Sequence, residues 1–115
     1  MIKEFSFKNI KIKEFNKQLS VKGSGRILTI KIKLENGISC SVVTGLNEEI
    51  LSVKEDGIYY PRANISSGKY VNNPLTGEVQ ESDYYYFKDL LIELESETEM
   101  DGIALKELII LYDEI

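Results

Sequence analysis

The segment IELESETEMDG, residues 92–102, sets a carboxylate at every second position: Glu93, Glu95, Glu97, Glu99 and Asp101. On an extended chain, side chains two apart share a face, so this spacing predicts an anionic row. Three chemistries can use one. Two carboxyls about 5–9 Å apart can divide acid and base work in glycoside hydrolysis, and i, i+2 neighbours on a strand lie about 6.6–6.8 Å apart. Almost any acidic strand meets that condition, so it carries little catalytic information. Calcium takes about six to eight oxygens around a point, whereas five carboxylates on a strand diverge along roughly 27 Å. Only Glu99-Met100-Asp101-Gly102 has the residues to curl into a partial shell, and the segment lacks the EF-hand pattern. No metal and no cofactor are expected.

The third chemistry is docking. Anions spaced along a strand can steer and hold a basic protein groove. The plainer reading is a solvated strand face, with Leu90, Ile92 and Leu94 turned inward, followed by Ser96, Thr98 and Met100. Lys11 and Lys13, or Lys31 and Lys33, then form cationic rows on neighbouring strands, each matched pair contributing a few tenths to ~1 kcal/mol.

Other catalytic equipment is missing. The sequence has no histidine, the usual base near neutral pH. It has no Walker-type loop, no Gly-x-Gly-x-x-Gly, no Cys-x-x-Cys and no Gly-x-Ser-x-Gly. Cys40, the lone cysteine, falls on a predicted inward row, where a thiol acts as a small hydrophobe. A non-enzymatic protein is expected.

Aromatic residues offer a second surface. Tyr59-Tyr60, Tyr70 and Tyr84-Tyr85-Tyr86 account for most of the seven tyrosines. In the run YYYF, alternate rings face opposite sides, so at least one leaves the core. Tyr84 and Tyr86 are candidates to join the acidic row in contacting a protein partner, since tyrosine suits interfaces. Alternatively Tyr59, Tyr60, Tyr70, Tyr84, Tyr85 and Tyr86 could stack on a small ligand such as a carbohydrate. The absence of tryptophan removes the strongest stacking ring.

These residues must be positioned by a chain of 115 residues, 43% hydrophobic and 29% charged, enough for one globular β-rich domain over residues 1–115. The chain shows no signal-peptide core and no span long enough for a bilayer, so no membrane partner is expected. A single cysteine points to the cytoplasm. Residues 1–45 hold nine Lys or Arg against three acids (+6) and residues 46–115 five against sixteen (−11), giving the net −5. Overall acidity disfavours nucleic acid as the main partner.

The strongest element signal is ILTIKIKLENGISCSVV. Leu28, Ile30, Ile32 and Leu34 alternate with polar residues, and the pattern resumes at Ile38, Cys40 and Val42. A hairpin through Glu35-Asn36-Gly37, with Gly37 left-handed, pairs 34 with 38, 32 with 40 and 30 with 42, keeping both apolar rows on one face. Asp56-Gly57 and Asp101-Gly102 read as further turns, suggesting an antiparallel meander. Phe5 and Phe7 differ in parity from Ile10 and Ile12, predicting a bulge near Lys8-Asn9. NEEILSVKEDG fits a short helix or a strand over Ile50–Val53. Residues 61–83 read as a long loop.

IALKELIILYDEI carries both helical spacing and a β-rich apolar run. A strand pairing back on residues 88–98 is favoured. The expected fold is therefore all-β, a single antiparallel β-sandwich or open barrel of seven or eight strands, with α+β and a C-terminal helix as the alternative. The leading functional expectation is an acidic protein-binding module of inhibitor, immunity-factor or accessory-subunit type with a basic protein partner. A carbohydrate-type module and a self-associating homo-oligomeric subunit are the alternatives.

Overall fold

The computed structural model describes residues 1–61, 70–71, 85–86 and 88–114. Every strand pairing in it is antiparallel. The strands are β1 (Ile2–Val21), β2 (Gly25–Leu34), β3 (Ile38–Thr44), β4 (Glu49–Val53), β5 (Gly57–Pro61), β6 (Tyr70–Val71), β7 (Tyr85–Tyr86) and β8 (Leu90–Glu114). Their order is β4-β3-β8-β2-β5-β6, with β1 added to β8 and β7 to β2, in one sheet nearly closed into a barrel. The expected all-β architecture is thus observed. Among the described residues there is no helix, so the α+β alternative is set aside.

Strand β8 organises the sheet. Along one edge it pairs with β1, and along the other it pairs with β2 and β3 laid end to end. Its first part carries Leu90, Ile92 and Leu94 into the core, and its last part carries Leu105, Leu108 and Ile110. These meet Val42 and Cys40 from β3, Ile30 and Ile32 from β2, and Ile12 from β1 in one apolar cluster. Burying such rows is the main favourable term in folding the sheet.

That arrangement corrects the expected hairpin. Ile30, Ile32, Leu34, Ile38, Cys40 and Val42 all face the core, as their alternation requires. They do not pair with one another, however: Leu34 pairs with Leu105, Cys40 with Leu94 and Val42 with Ile92. Gly37 does adopt the left-handed conformation (φ 79°), and Ile38 N–H donates to Glu35 O at 3.3 Å. The turn makes a corner, held by Glu35 N–H on Ala104 O (3.0 Å) and Glu97 N–H on Gly37 O (3.1 Å). Alternation fixes which face is apolar but not which strand lies alongside, and β8 offers an apolar partner to both halves. At the start of β2 a bulge between Ile27 and Thr29 buries Ile27 and leaves Leu28 half-buried, a further departure from the expected row.

Other turn signals resolve differently. Asp101-Gly102 is no turn; Gly102 lies within β8 opposite Ile12 and lacks a positive φ. Residues 103–113 are therefore strand, but continuous with residues 90–98 rather than folded back on them. Asp56 does end a turn, its carboxylate accepting Leu34 N–H at 2.7 Å, and Gly57 opens β5 opposite Ile32. The meander is replaced by a sheet whose last strand sits in its middle. NEEIL yields the strand β4, not a helix. Thr44 Oγ1 accepts the Leu46 and Glu48 N–H groups in the β3–β4 connection, which satisfies this buried hydroxyl. In β1, Asn9 has φ 54°, and the core-facing parity changes there from Phe5 and Phe7 to Ile10 and Ile12. Of the expected loop 61–83, residues 62–69 and 72–83 lie outside the described residues.

Candidate functional site: an acidic strand face

Two rows run across β1, β8, β3 and β4 on the outer face of the sheet. One is Gln18, Glu93, Ser41 and Ser52; the other is Asn16, Glu95 and Ser39. Directly opposed residues in an antiparallel pair point to the same side, and neighbours along a strand to opposite sides. Leu94, Cys40 and Val53 form the buried row between them. Glu93 and Glu95 are consequently turned outward by the same alternation that turns Ile92 and Leu94 inward. Their lateral neighbours are amides and hydroxyls, with Ser41 Oγ 3.1 Å from Ser52 Oγ. The result is a polar platform carrying two carboxylates.

The remaining acids occupy different surroundings. Pairing of β8 with β1 jumps from Asn16–Glu95 to Glu14–Met100, so Ser96–Glu99 have no β1 partner. Within this stretch Ser96 Oγ donates to Thr98 O (2.7 Å) and accepts Thr98 N–H (3.3 Å). Glu97 is exposed and lies 3.8 Å from Lys54 Nζ, while Glu99 is exposed. Asp101 is exposed opposite Lys13. The segment is extended throughout, as expected, yet the row is divided into a platform pair, an irregular pair and a terminal Asp.

Charge neutralisation is just as uneven. Ion pairs join Lys31 and Lys8 to Glu107 (3.2 and 4.0 Å), Lys22 to Asp89 (3.4 Å), Lys106 to Glu35 (3.6 Å), Lys3 to Glu114 and the Met1 ammonium to Asp113 (2.9 Å). The Lys31 ammonium, aided by Lys33 and Lys8, holds Glu107 below the usual carboxylate range despite partial burial. The Gly23 N–H, 2.9 Å from Asp89 Oδ1, does the same for Asp89, with Lys22 adding to it. Lys31 and Lys33 thus serve Glu107 rather than the acidic row. Among the described residues, no cation pairs with Glu93, Glu95 or Glu99.

Two shallow depressions flank Glu95. One of about 290 Å³ is lined by Asn16, Lys17, Gln18, Glu93, Leu94 and Glu95; the other, of about 250 Å³, by Ser39, Lys54, Glu95, Ser96 and Glu97. A third, of about 340 Å³, sits at the corner between Asn36 and Asp56. None of Asn16, Gln18, Ser39 or Ser41 stands out in the sequence. Their only signal is polar alternation, which marks any wet strand face.

The tyrosines do not gather with the acids among the described residues. Tyr59 is core, 4% exposed, its hydroxyl donating to Glu55 O at 2.7 Å. Tyr60 is half-buried on β5 opposite Val71. Tyr70 pairs with Pro61, and Tyr85 and Tyr86 stand on β7 opposite Arg26 and Gly25. Tyr84 lies outside the described residues.

Cys40 is buried, and desolvation pushes its thiol up to about 12. Among the described residues, no three His, Cys, Asp or Glu side chains come together as a metal site. No helix there is long and apolar enough to cross a membrane. No family model, no curated protein and no solved structure matches the chain.

Proposed function

We propose that this chain is a non-enzymatic protein-binding module that presents Glu93 and Glu95 to a basic surface of its partner, acting as an inhibitor, immunity factor or accessory subunit. One observation carries the reading. Glu93 and Glu95 stand side by side on one regular strand face, opposed by Asn16, Gln18, Ser39 and Ser41, and among the described residues no cation lies within ion-pair distance of either. Leaving like charges side by side on a regular face gives no stability advantage, but exposed fields of one sign accelerate association with an oppositely charged partner. The flanking Asn16, Gln18, Ser39 and Ser41 supply hydrogen-bonding groups suited to a polar interface rim.

The sequence has no histidine and its one thiol is buried, so what the platform offers a partner is carboxylates, amides and hydroxyls. The test is capture of partners from the native host by the wild-type protein and by Glu93→Lys/Glu95→Lys, identified by mass spectrometry. A specific partner held by the wild type, released by added salt and lost from the variant is the expected result. If charge reversal leaves the affinity of every captured partner unchanged, the proposal fails.

A further inference from the structure

The open edge of β1 beside this platform carries an anomaly. Glu14 has φ 71°, a left-handed conformation that side-chain-bearing residues rarely adopt, and the β1–β8 register breaks directly after it. Phe15 falls in the break, opposite no residue of β8, and is 50% exposed. It does not join the apolar cluster, so the irregular backbone brings no core packing in return. Bulges of this sort re-aim a side chain, and here the side chain is a large ring aimed at water.

From Asn16 onward β1 is regular again, pairing with Glu95 through Leu90. Among the described residues no other strand pairs with β1, so its far edge presents unpaired peptide groups. The rest of that edge is guarded in the usual manner: Lys3, Lys8, Lys11 and Lys13 line it, and it is broken near Asn9 and between Ile10 and Lys11. Between Phe15 and Ser20 there is no proline or bulge, and one charge, Lys17. Lys17 lies opposite Leu94, on the other parity from Glu93 and Glu95. The depression lined by Asn16, Lys17, Gln18, Glu93, Leu94 and Glu95 marks the same junction of edge and face.

We infer that the partner contributes an extended basic segment that adds to the β1 edge over Phe15–Ser20, covering Phe15 with an apolar side chain and reaching Glu95 and Glu93 with cations two residues apart. An added strand lies about 4.8 Å from β1 and roughly 10 Å from β8. A Lys or Arg opposite Asn16 or Gln18 therefore passes over a short amide to meet the carboxylate one strand further in. Main-chain hydrogen bonds supply affinity and the alternate cations supply register, the usual division in strand addition. This rests on the acidic-face reading and specifies how that face is engaged.

The probe is a labelled seven-residue peptide with lysine at its third and fifth positions, leucine at its second and sixth and threonine elsewhere, titrated by fluorescence anisotropy. Two N-methylated versions, blocked at one or the other set of alternate amides, keep the charges but each remove one edge's hydrogen bonds. Wild-type protein is expected to bind the parent peptide and to lose it with one methylated version. Phe15→Ser should weaken binding by about tenfold or more, and Phe15→Leu should retain it. Because Phe15 is exposed, both variants are expected to fold, which circular dichroism checks.

If Glu93→Gln/Glu95→Gln abolishes binding while Phe15→Ser and both methylations leave it intact, the edge inference is overturned and the acidic-face reading survives. If no peptide binds at millimolar concentration, or if no substitution matters, both are overturned. A concentration-dependent dimer in sedimentation, abolished by Phe15→Ser, replaces the basic partner with a second copy and overturns the assignment made here.

Discussion

Replacing Glu93 and Glu95 together by glutamine asks whether these carboxylates serve the fold. They sit two residues apart on an extended strand, about 6.8 Å from each other at the backbone. Two unit charges at that separation repel by about 0.6 kcal/mol in water. Screening over a Debye length of about 8 Å at physiological salt reduces this to roughly 0.25 kcal/mol. Glu97 adds little, since Lys54 lies 3.8 Å from it. The double variant is therefore expected to match or exceed wild-type stability, gaining about 0.5 kcal/mol at roughly 10 mM salt and half of that or less at physiological salt. With a urea slope of about 1–3 kcal/mol per molar, the low-salt gain raises the unfolding midpoint by a few tenths of a molar. The assay is urea unfolding followed by circular dichroism at the two salt concentrations. A loss of about 1 kcal/mol or more in the variant is the size expected when a structural hydrogen bond or ion pair is removed, and it refutes the claim that these groups are free for a partner.

Three further expectations concern the frame that holds this face. Buried Cys40, its thiol pushed up to about 12, should resist a thiol reagent in the native protein at mildly alkaline pH and react promptly in urea; rapid native reaction would place it at the surface. Glu107 is held below the ordinary carboxylate range when folded, so its contribution is present above that range and disappears as pH falls through its folded value. Urea midpoints taken from neutral to acid pH should accordingly fall less steeply for Glu107→Gln than for wild type, starting from a lower neutral value. Gly45 donates its N–H to Lys88 O at 3.0 Å, and an added Cβ would stand 2.0 Å from that oxygen. Gly45→Ala should destabilise by about 1–3 kcal/mol in thermal or urea unfolding, and a neutral result would mean the backbone at Lys88 yields freely.

What the sequence made legible was facing, and what it hid was adjacency. Ile30, Ile32, Leu34, Ile38, Cys40 and Val42 are all core, as a period of two requires. Yet Asn36-Gly37 turns a corner, because a left-handed glycine serves a hairpin and a bend between end-to-end strands equally well. Asp101-Gly102 carried the same local signal and lies inside a strand, held there by pairing with Lys13 and Ile12 from the far end of the chain. The extended acidic segment was legible for the same reason as the core rows. Its division at Ser96–Glu99 was not, since that break is set by where β1 loses register with β8. Nothing in the sequence marks Phe15; its exposure follows from its place in the bulge, a product of long-range pairing.

The platform exists only when the whole sheet does. Its residues come from β1, β3, β4 and β8, the last of which supplies both carboxylates and the central row of the core on its reverse side. Glu93 cannot be displaced without disturbing Ile92 and Leu94, which are buried against Val42 and Cys40. A strand fixed on both edges and packed on one face loses little further freedom when something settles on the other, so docking there avoids most of the ordering cost that loops incur. In the unfolded chain the same acids lack Asn16, Gln18, Ser39 and Ser41 beside them and are separated from Phe15 by about two-thirds of the sequence. A partner selecting this constellation binds the folded form alone. By linkage it must then stabilise the fold, by about 2.7 kcal/mol at a hundred times its dissociation constant. On the proposed mode of docking, charges that do not help the sheet by themselves would become part of what keeps it folded once a cationic strand lies across them.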